Sequence, residues 1–290
     1  MTETALAYAK INISLDIVSK RDDGYHNLKT IMQTVGLSDE ITLMCKQGEG
    51  IGVDVDLPYL PGDEKNIAVK AANAYYQYTG IKGTHTHIKI KKNIPVCAGL
   101  GGGSTDGACV LRLLDKIHKT ELGRETLESI GINVGSDVPF NIDGGTKLVE
   151  GKGEKLTDLP PVPLCYIVIC KPAFHCSTPE LFKRVRCEKI QARPDTEGLV
   201  KAIMEGDTGG VAKRMYNVFE DLLPRGKSDI DEIKSAMLDN NALGAVMTGS
   251  GPSVIGLFGN NENAADAYKQ LKINYKDCYL TETINPKELQ

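Results

Sequence analysis

A dense run of glycine in the first half of the chain has the composition of a phosphate-binding loop. It comprises Pro95, Val96, Cys97, Ala98, Gly99, Leu100, Gly101, Gly102, Gly103, Ser104 and Thr105. Because glycine has no side chain, backbone N–H groups can approach a ligand closely here. The run follows a predicted strand and opens a predicted helix, whose N-terminus adds unpaired N–H groups and the positive end of its dipole. Ser104 and Thr105 add hydroxyl groups where the N-cap is expected. A flexible turn is the alternative, but four glycines within five residues are more than a turn needs.

Two common phosphate-binding motifs do not fit this run. A P-loop reads G-x-x-x-x-G-K-[ST], and no lysine follows the glycines here. The Gly151-Lys152 pair comes closer to it, but Gly153 stands where the hydroxyl residue belongs. The dinucleotide fingerprint reads G-x-G-x-x-G, and Ser104 occupies its third glycine position. These mismatches argue against a P-loop NTPase and against a dinucleotide-dependent oxidoreductase.

Two further glycine clusters carry polar side chains. Gly135-Ser136-Asp137 is followed by Gly144-Gly145. Taken alone, Asp137 is also explained as an ordinary helix N-cap. The last cluster, Thr248-Gly249-Ser250-Gly251, lies between two short apolar segments, and a plain hairpin loop would also explain it.

Lys10 lies on a predicted strand near the N-terminus. Apolar residues alternate with polar ones from Ile11 to Ile17, which predicts a strand with two distinct faces. The polar face presents Tyr8, Lys10, Asn12 and Ser14 together. Lys10 can therefore reach into a cleft beside Asn12, although a solvated edge-strand position is the commoner fate of lysine in sheets.

The remaining pattern predicts an α+β protein, because strands and helices do not alternate as they do in a doubly wound sheet. Strands are predicted over 28–35, 40–45, 51–57, 84–91, 165–170, 245–247, 254–258 and 278–284, with a turn at Asp22-Asp23-Gly24. Helices are predicted over 66–78, 104–116 and 262–271, with further helices from Thr178, the expected N-cap before Pro179, through Met237. The prolines at 160–163 suggest a linker, which divides the chain into domains 1–160 and 161–290.

Composition sets limits on the class of protein. The chain has 290 residues, a net charge of −4 and no tryptophan. The slight acidic excess argues against a dedicated nucleic-acid or membrane-surface binder. The first residues do not form a secretory signal, and the eight cysteines are scattered without a zinc spacing, so reduced thiols in a cytoplasmic protein are expected.

The three clusters, in this order, resemble the GHMP kinase superfamily, whose phosphate loop reads P-x-x-x-G-L-G-S-S-A. Pro95, Gly99, Leu100 and Gly101 match that loop, and the last cluster resembles the superfamily's C-terminal glycine motif. Ala9-Lys10-Ile11-Asn12-Ile13-Ser14-Leu15, Asp23-Gly24-Tyr25-His26 and Gly135-Ser136-Asp137-Val138-Pro139-Phe140 are similar to the 4-diphosphocytidyl-2-C-methyl-D-erythritol kinases within it. The similarity runs from Ala7 to about Phe258.

The resemblance implies a fold, a reaction and a set of site residues. The expected fold is an N-terminal ribosomal-protein-like α+β domain and a C-terminal ferredoxin-like domain, with the active site in the cleft between them. The expected reaction is ATP-dependent phosphorylation of the substrate's 2-hydroxyl in the non-mevalonate route to isoprenoid precursors in bacteria. Lys10 and Asp137 fall on the catalytic pair, and residues 95–105 fall on the ATP phosphate loop. Lys65 and Asn66 lie near the adenine pocket. Asn12, Tyr25, His26, Ser136, Thr178, Phe182, Thr248, Gly249 and Ser250 fall on positions that bind the substrate.

This resemblance also suggests how the parts work. Asp137 is expected to act as general base with Lys10 beside it, and Mg²⁺ to accompany ATP through an unidentified protein ligand, with Ser104 or Thr105 as candidates. Tyr25 and Phe182 could sandwich the cytosine while His26 bonds its edge, although Phe182 could instead be a core residue. Asp106 could hold the metal or merely cap the helix, and Gly107 should weaken its first turn.

The residues also allow two other functions. Another small-molecule kinase of the superfamily, of the mevalonate or homoserine type, is the nearest alternative. A nucleotide-binding regulator without catalysis is a second one, which the presence of both Lys10 and Asp137 disfavours. The expected partners are the small-molecule substrate and ATP, with no nucleic acid and no membrane, and the chain is expected to be a monomer or a weak homodimer.

Overall fold

The computed structural model describes residues 1–223 and 226–285; residues 224, 225 and 286–290, which belong to the predicted second domain, lie outside the described residues. The first half contains β1 (Thr2–Lys20), β2 (His26–Gln47), β3 (Ile51–Val55), α1 (Ile67–Thr79), β4 (Thr84–Lys91), α2 (Gly102–His118), α3 (Gly123–Gly131), α4 (Val138–Asp143), β5 (Thr146–Gly151) and β6 (Lys155–Asp158). The second half contains β7 (Tyr166–Lys171), α5 (Thr178–Arg184), α6 (Thr196–Met204), α7 (Thr208–Ala212), β8 (Tyr216–Asn217), α8 (Lys227–Asp239), β9 (Gly244–Met247), β10 (Val254–Phe258), α9 (Asn261–Asn274) and β11 (Asp277–Glu282). Short 3-10 turns cover Cys187–Lys189 and Val218–Leu222.

Strands β1 and β2 form one long antiparallel hairpin through the turn predicted at residues 22–24. The two strands predicted at 28–35 and 40–45 are a single strand in the structure. The first half of β2 pairs with β5 and the second half pairs with β4, while β1 pairs along both halves. Pairing with β1 keeps the polar Ser38 and Asp39 extended, which their composition alone does not predict.

A seven-stranded mixed sheet follows the order β3-β4-β2-β1-β8, with β5 and β6 continuing from β2. Helices α1 and α2 cover one face of it. Gly107 of α2 allows this close packing, since a Cβ there would stand 2.9 Å from the Ile67 side chain. Gly107 lowers the helix propensity of α2, but its missing side chain lets α1 and α2 pack closely.

The second sheet is antiparallel and has the order β11-β7-β10-β9. One of its faces packs with β1 and β2 residues into a shared apolar core, and α8 and α9 pack with the other face. The hairpin predicted at the last glycine cluster is confirmed as β9 and β10. Because the shared core joins both sheets, β1 carries its polar side chains to the junction between them.

Helix boundaries show where local signals were sufficient. Helix α1 lies one residue further along the chain than the predicted 66–78: Asn66 caps its N-terminus, and Gly80, in a left-handed conformation, caps its C-terminus. Helix α2 begins at Gly102, two residues before the predicted Ser104, and its N-cap is Gly101. The prediction that Thr178 is the N-cap of α5 was wrong, because Ser177 occupies that position and Thr178 is the first helical residue.

The two sheets agree with the α+β architecture expected for the superfamily, which is confirmed. The boundary predicted at 160 and 161 stays a prediction, although residues 159–165 do connect β6 of the first sheet with β7 of the second. In the described part of the chain, no helix has both the length and the apolar character needed to cross a membrane.

Candidate active site

The Lys10 ammonium is buried and has three acceptors around it. Its side chain is 4% exposed and its Nζ lies 3.2 Å from Asp137 Oδ2. Lys10 Nζ also donates to Asn12 Oδ1 at 2.8 Å and, more weakly, to the Gly99 carbonyl at 3.4 Å. These three acceptors match the three N–H groups of an ammonium. Lys10 is therefore not a solvated edge-strand lysine.

Asp137 occupies the N-cap position of α4, yet among the described residues its side chain makes no capping hydrogen bond. The carboxylate turns toward Lys10 instead and stays 32% exposed, so a ligand can reach it. Its backbone carbonyl accepts a hydrogen bond from Asn141 Nδ2 at 2.7 Å, which holds the start of the helix. Asp137 therefore does occupy the N-cap position, but its side chain pairs with Lys10 and does not cap the helix.

The phosphate-loop segment is anchored on both sides. The backbone N–H of Lys10 donates to the Leu100 carbonyl at 3.1 Å, and the side chains of Ala98 and Leu100 are buried in the shared core. Gly99 has a positive φ of 77°, and a Cβ there would collide with the Thr248 carbonyl oxygen. Gly101, at φ 69°, packs against the stem of Lys10, where a Cβ would stand 3.0 Å from two of its carbons. These glycines are required because other backbone and the lysine stem approach so closely.

Helix α2 opens directly from this loop. None of the side chains in the described residues caps it, so the N–H groups of its first turn remain available to an anion. The Thr105 hydroxyl is already committed, since it donates to the Tyr8 carbonyl at 2.7 Å. Ser104, which is half-buried, has its hydroxyl on the same first turn.

The last glycine cluster lies against the phosphate loop. Thr248 is buried, and its hydroxyl accepts the backbone N–H of Asn12 at 2.8 Å. A Cβ on Gly249 would stand 2.7 Å from the Gly99 carbonyl oxygen. The Ser250 and Thr178 hydroxyl groups lie 2.6 Å apart, which links this loop to the start of α5. The cluster is thus more than a hairpin loop, because it touches both β1 and the phosphate loop.

The Asn12 side chain is oriented by its neighbours. Its Nδ2 donates to the Thr30 hydroxyl at 2.8 Å, and that hydroxyl donates to the Ser14 carbonyl at 2.5 Å. The amide oxygen is therefore directed at Lys10. Asn12 thus helps to hold the lysine in place.

An aromatic group lies at the start of β2. The rings of His26 and Phe182 stack with centroids 5.1 Å apart, and Phe219 meets Phe182 edge to face at 5.1 Å. Burial, with a smaller contribution from Lys20, lowers the pKa of His26, so its imidazole is neutral at pH 7. Tyr25 is 58% exposed, and the Lys152 ammonium lies 5.7 Å from the centre of its ring. Phe182 is partly buried against the core, as its interpretation as a core residue requires, and its contact with a base stays a prediction.

Lys65 and Asn66 immediately precede α1. Asn66 uses its side chain locally, accepting from the Ala68 N–H and donating to the Pro61 carbonyl, both at 2.9 Å. Lys65 is exposed. Ile67, the next residue, packs beside Gly103 of the phosphate loop, so this segment lies next to the start of α2. Ser136 is exposed beside Asp137.

A buried ion cluster lies beneath α2, and the sequence pattern does not predict it. Lys92 pairs with Asp39 and, at 2.7 Å, with Asp106; Asp39 also accepts the N–H groups of Asn93 and Ile94. Burial raises the pKa of Asp106 to about 7 despite the neighbouring Lys92 charge. Burial alone would lower the pKa of Lys92, but the two carboxylates outweigh it and raise that pKa. Asp106 thus neither caps the helix nor points to a metal, and isolated charges in a sequence give no signal of such pairing.

Family models match both halves of the chain. The model described as the GHMP kinases N terminal domain matches residues 66–145, and the model described as GHMP kinases C terminal matches residues 199–277. Together they cover more than half of the chain, including α1, the phosphate loop, Asp137 and the last glycine cluster. These matches show the superfamily without reference to the substrate.

Full-length relatives narrow the match. The 4-diphosphocytidyl-2-C-methyl-D-erythritol kinase of Caldicellulosiruptor bescii is 45% identical over 277 residues, which cover 96% of each chain. The enzyme of the same name from Clostridium botulinum (strain Kyoto / Type A2) is 42% identical over 278 residues, covering 96% of this chain and 99% of the relative.

Solved structures have the same architecture. A crystal structure of a 4-(cytidine 5'-diphospho)-2C-methyl-D-erythritol kinase matches with a TM-score of 0.79 at 29% identity, covering 97% of this chain and 99% of that one. The homoserine kinase of Cytophaga hutchinsonii matches with a TM-score of 0.76 at 22% identity over 98% of this chain and 96% of that one, which shows the fold alone. With the two family models and the full-length relatives, these findings show that the chain belongs to the 4-diphosphocytidyl-2-C-methyl-D-erythritol kinase family of the GHMP kinases, which are ATP-dependent small-molecule kinases.

Proposed function

We propose that this chain transfers the γ-phosphoryl group of ATP to the 2-hydroxyl of 4-diphosphocytidyl-2-C-methyl-D-erythritol, a step in isoprenoid precursor synthesis. The observation that carries the proposal is the ion pair of Lys10 and Asp137 beside an open glycine loop. Phosphoryl transfer depends on positioning and charge stabilisation more than on covalent chemistry by the protein. Three kinds of group meet at this junction: a carboxylate that can accept a proton, a lysine ammonium, and backbone N–H groups that can bind phosphate.

Asp137 is the general base. Its partly exposed carboxylate takes the proton of the acceptor hydroxyl as the hydroxyl oxygen bonds to the γ-phosphorus. The bond from that phosphorus to the β,γ-bridging oxygen breaks, and the bridging oxygen leaves with ADP. The products are the phosphomonoester and ADP, and Asp137 returns its proton to water afterwards.

Lys10 has two roles at the reacting centre. Its contact with Asp137 holds the carboxylate in place beside the phosphate loop. Its weakest bond, 3.4 Å to the Gly99 carbonyl, is the one most easily exchanged for a phosphate oxygen. The ammonium can then stabilise charge that develops on the transferred group.

The phosphates are bound by local donors, because a chain of net charge −4 has no general attraction for anions. The first turn of α2 offers backbone N–H groups and the positive end of the helix dipole. Gly99 and Gly101 leave the loop without side chains over that turn. Lys65 and Asn66, beside the same helix, belong to the proposed adenine side of the site.

Mg²⁺ is also part of the proposal. Mg²⁺ prefers oxygen ligands and usually takes only one or two from the protein, the rest coming from phosphates and water. Thr105 and Asp106 are engaged by Tyr8 and Lys92, which leaves the Ser104 hydroxyl as the fitting protein ligand on this turn. When bound, the ion would neutralise charge on the β- and γ-phosphates.

The cytidyl end of the substrate binds at the aromatic group. His26 and Phe182 already stack, so we propose that they form one wall for the cytosine and the exposed Tyr25 supplies another. Asn12, Ser136, Thr178, Thr248, Gly249 and Ser250 complete the proposed substrate positions. The Thr178–Ser250 hydroxyl pair offers two polar groups between α5 and the last glycine cluster.

The remaining parts of the proposal concern assembly and location. We propose a location in the bacterial cytoplasm because the relatives named above come from bacteria. A monomer or weak homodimer is proposed on the sequence alone.

Release of ADP tests the reaction. Purified enzyme, MgATP and one acceptor at a time are combined, the acceptors being the diphosphocytidyl compound, mevalonate, homoserine and galactose. We expect ADP release above background only with the diphosphocytidyl compound. Preference for another acceptor would assign a different kinase of the superfamily, and ATP binding without turnover of any acceptor would favour a regulator.

A further inference from the structure

Asn217, which lies outside the proposed site residues, holds the last glycine cluster in place. It is 1% exposed and lies on β8, beside β1. Its Nδ2 donates to the carbonyl groups of Met247 at 2.7 Å and of Gly249 at 2.8 Å, while its Oδ1 accepts the Phe219 N–H at 3.0 Å. One amide therefore uses both of its N–H groups on the strand end that leads into the cluster.

Glu220 supports the same strand end from the other side of its backbone. Its Oε1 accepts the Met247 N–H at 2.7 Å, and its Oε2 accepts from Lys234 Nζ at 2.6 Å. Residues 217–220, which we name the 217–220 turn, thus bond both the donor and the acceptor of Met247. A buried polar network of this kind fixes one geometry when all of its members are paired.

The position of Gly249 affects Lys10 through Gly99. Gly249 packs on Gly99 closely enough that a Cβ would stand 2.7 Å from the Gly99 oxygen. That oxygen accepts a bond from Lys10 Nζ at 3.4 Å. A shift of the Gly249 carbonyl therefore moves the phosphate loop and one acceptor of the catalytic ammonium.

The same turn also touches the cytidyl side. Phe219 is buried and meets the Phe182 ring edge to face at 5.1 Å, and Phe182 stacks on His26. The 217–220 turn thus contacts Gly249, which packs on the phosphate loop, and Phe182, which lies at the proposed cytidyl site. Asn217 and Phe219 face different halves of the site, so their effects can be separated.

We propose that the 217–220 turn positions the site: Asn217 sets the phosphate side through Gly249 and Gly99, and Phe219 sets the cytidyl side through Phe182. The inference rests on the proposed function for its choice of acceptor. Asn217 and Phe219 are positioning residues, because they act through others.

The variant Asn217→Asp gives a pH-dependent readout. An ionised carboxylate has no proton to donate, so it cannot replace the bonds to the two carbonyl groups, whereas the protonated acid can restore one of them. We expect kcat at pH 8 to fall by up to about 100-fold, as for a misplaced reacting group. The ratio of variant to wild-type kcat should rise as the pH falls, by up to about tenfold per pH unit.

The surroundings of position 217 favour the protonated form of the carboxyl that Asn217→Asp introduces. The charged groups that act on the adjacent Tyr216 are Asp221, Glu220 and Asp16. Each has a cation partner: Lys227 for Asp221, Lys234 for Glu220 and Arg193 for Asp16. Burial and the nearby carboxylates both raise the pKa of an introduced carboxyl, and the paired cations oppose them only in part.

Gln33 provides a matched control. It is also 1% exposed, and its Nε2 donates to two backbone carbonyl groups, those of Thr34 at 2.8 Å and Ile284 at 3.0 Å. Gln33→Glu makes the same chemical change at a place that holds β2 to Ile284, two residues after β11. We expect this control to lose stability while its kcat ratio to wild type stays flat with pH, within about twofold. Equal pH profiles for the two variants would overturn the role of Asn217.

Binding of ATP separates this inference from the proposed function. If the wild type fails to turn over the diphosphocytidyl acceptor, the proposed function fails, and the inference is then judged by the Kd for MgATP from calorimetry. Asn217→Asp should weaken that binding at pH 8 and recover it at pH 6, unlike Gln33→Glu. Asn217→Ser, which keeps one donor, serves if the acidic variant does not fold; unchanged ATP affinity in the serine variant would contradict the inference.

Phe219→Leu tests the other half of the turn. We expect a rise of about tenfold in KM for the cytidyl acceptor, with KM for ATP nearly unchanged, because the edge-to-face support of Phe182 is lost. Equal changes in both KM values would overturn the assignment of Phe219 to the cytidyl side.

Discussion

Asp137 occupies the N-cap position of α4, but its carboxylate pairs with the Lys10 ammonium at 3.2 Å and not with the backbone of its own helix. A side chain that leaves its own helix N-terminus uncapped gives up a local contribution worth about 1 kcal/mol. The carboxylate contacts Lys10 instead and stays 32% exposed.

Asp137→Ala should nearly abolish turnover. Loss of a general base costs about 100- to 10,000-fold in rate, and since the side chain does not cap α4, stability should change little. Steady-state ADP release gives kcat, and calorimetry should find ATP and acceptor affinities within a few fold of wild type. Asp143→Ala is the control at the other end of α4, where the acid pairs with Lys147. Full activity in Asp137→Ala would remove Asp137 from the mechanism.

Lys10→Met should lower kcat by about 100- to 1,000-fold, because a cation directed at the transferred group is lost. Lys171→Met is the matched control, since Lys171 is also a buried strand lysine with a carboxylate partner, Asp277, at 3.6 Å. Both variants should lose stability, and only the first should lose kcat. Similar kcat losses in the two variants would mean that Lys10 acts through folding alone.

Gly99→Ala should disrupt the junction of the two glycine loops. The added Cβ meets the Thr248 carbonyl oxygen in a backbone conformation that already disfavours alanine. Gly80→Ala is the control, because Gly80 has a φ of 70° with nothing within 4 Å of the added Cβ. Urea unfolding should give a loss of about 1 kcal/mol for Gly80→Ala and a larger one for Gly99→Ala. Equal losses would mean that the contact with Thr248 is unimportant.

Asp106→Asn should change how stability depends on pH. The Asp106 carboxyl keeps its proton up to a pKa of about 7 in the folded protein, against 3.8 in the unfolded chain. Between these values the folded state holds a proton that the unfolded state lacks, so rising pH lowers the free energy of unfolding, by up to about 1 kcal/mol per pH unit. This stabilisation is complete below pH 3.8 and is lost as the pH rises through about 7.

Denaturant unfolding at several pH values checks this expectation. Wild type should lose stability relative to Asp106→Asn as the pH rises from 4 toward 7, since the asparagine does not titrate. Parallel stability curves for the two proteins would contradict a raised pKa at Asp106.

Phe182→Ala should raise KM for the cytidyl acceptor by about 10- to 100-fold, because stacking on an aromatic ring is worth about 1–3 kcal/mol per base. KM for ATP should change much less. Tyr268→Ala is the control, being another partly buried aromatic residue packed on the same core. If KM for ATP rises as much as KM for the acceptor, Phe182 does not contact the base.

The sequence predicted the parts of this site that depend on local pattern. Alternation along β1 correctly placed Lys10 and Asn12 on one face, where they are hydrogen bonded. The glycine content of residues 99–103 correctly indicated a loop that opens a helix. The helix predicted over 66–78 is α1, one residue further along the chain. These features follow from short-range steric and hydrogen-bonding rules.

The missed features depend on contacts between distant segments. Asp39 and Lys92 look like surface charges in the sequence, and their burial arises only when β2 meets the residue that follows β4. Asn217 follows no glycine and belongs to no motif, yet its amide fixes Gly249. The start of α2 was placed two residues late because Gly101 takes the cap position that Ser104 was expected to fill.

The most direct test is to locate the transferred phosphate in the product by ³¹P and ¹³C NMR. The wild-type enzyme, MgATP and the diphosphocytidyl acceptor should give a new phosphomonoester signal whose ³¹P couples to the carbon that bears the 2-hydroxyl and to its methyl group. Asp137→Ala should give almost none of this signal over the same time. A phosphate on a different hydroxyl, or no phosphomonoester from wild-type enzyme that binds both ligands, would contradict the account.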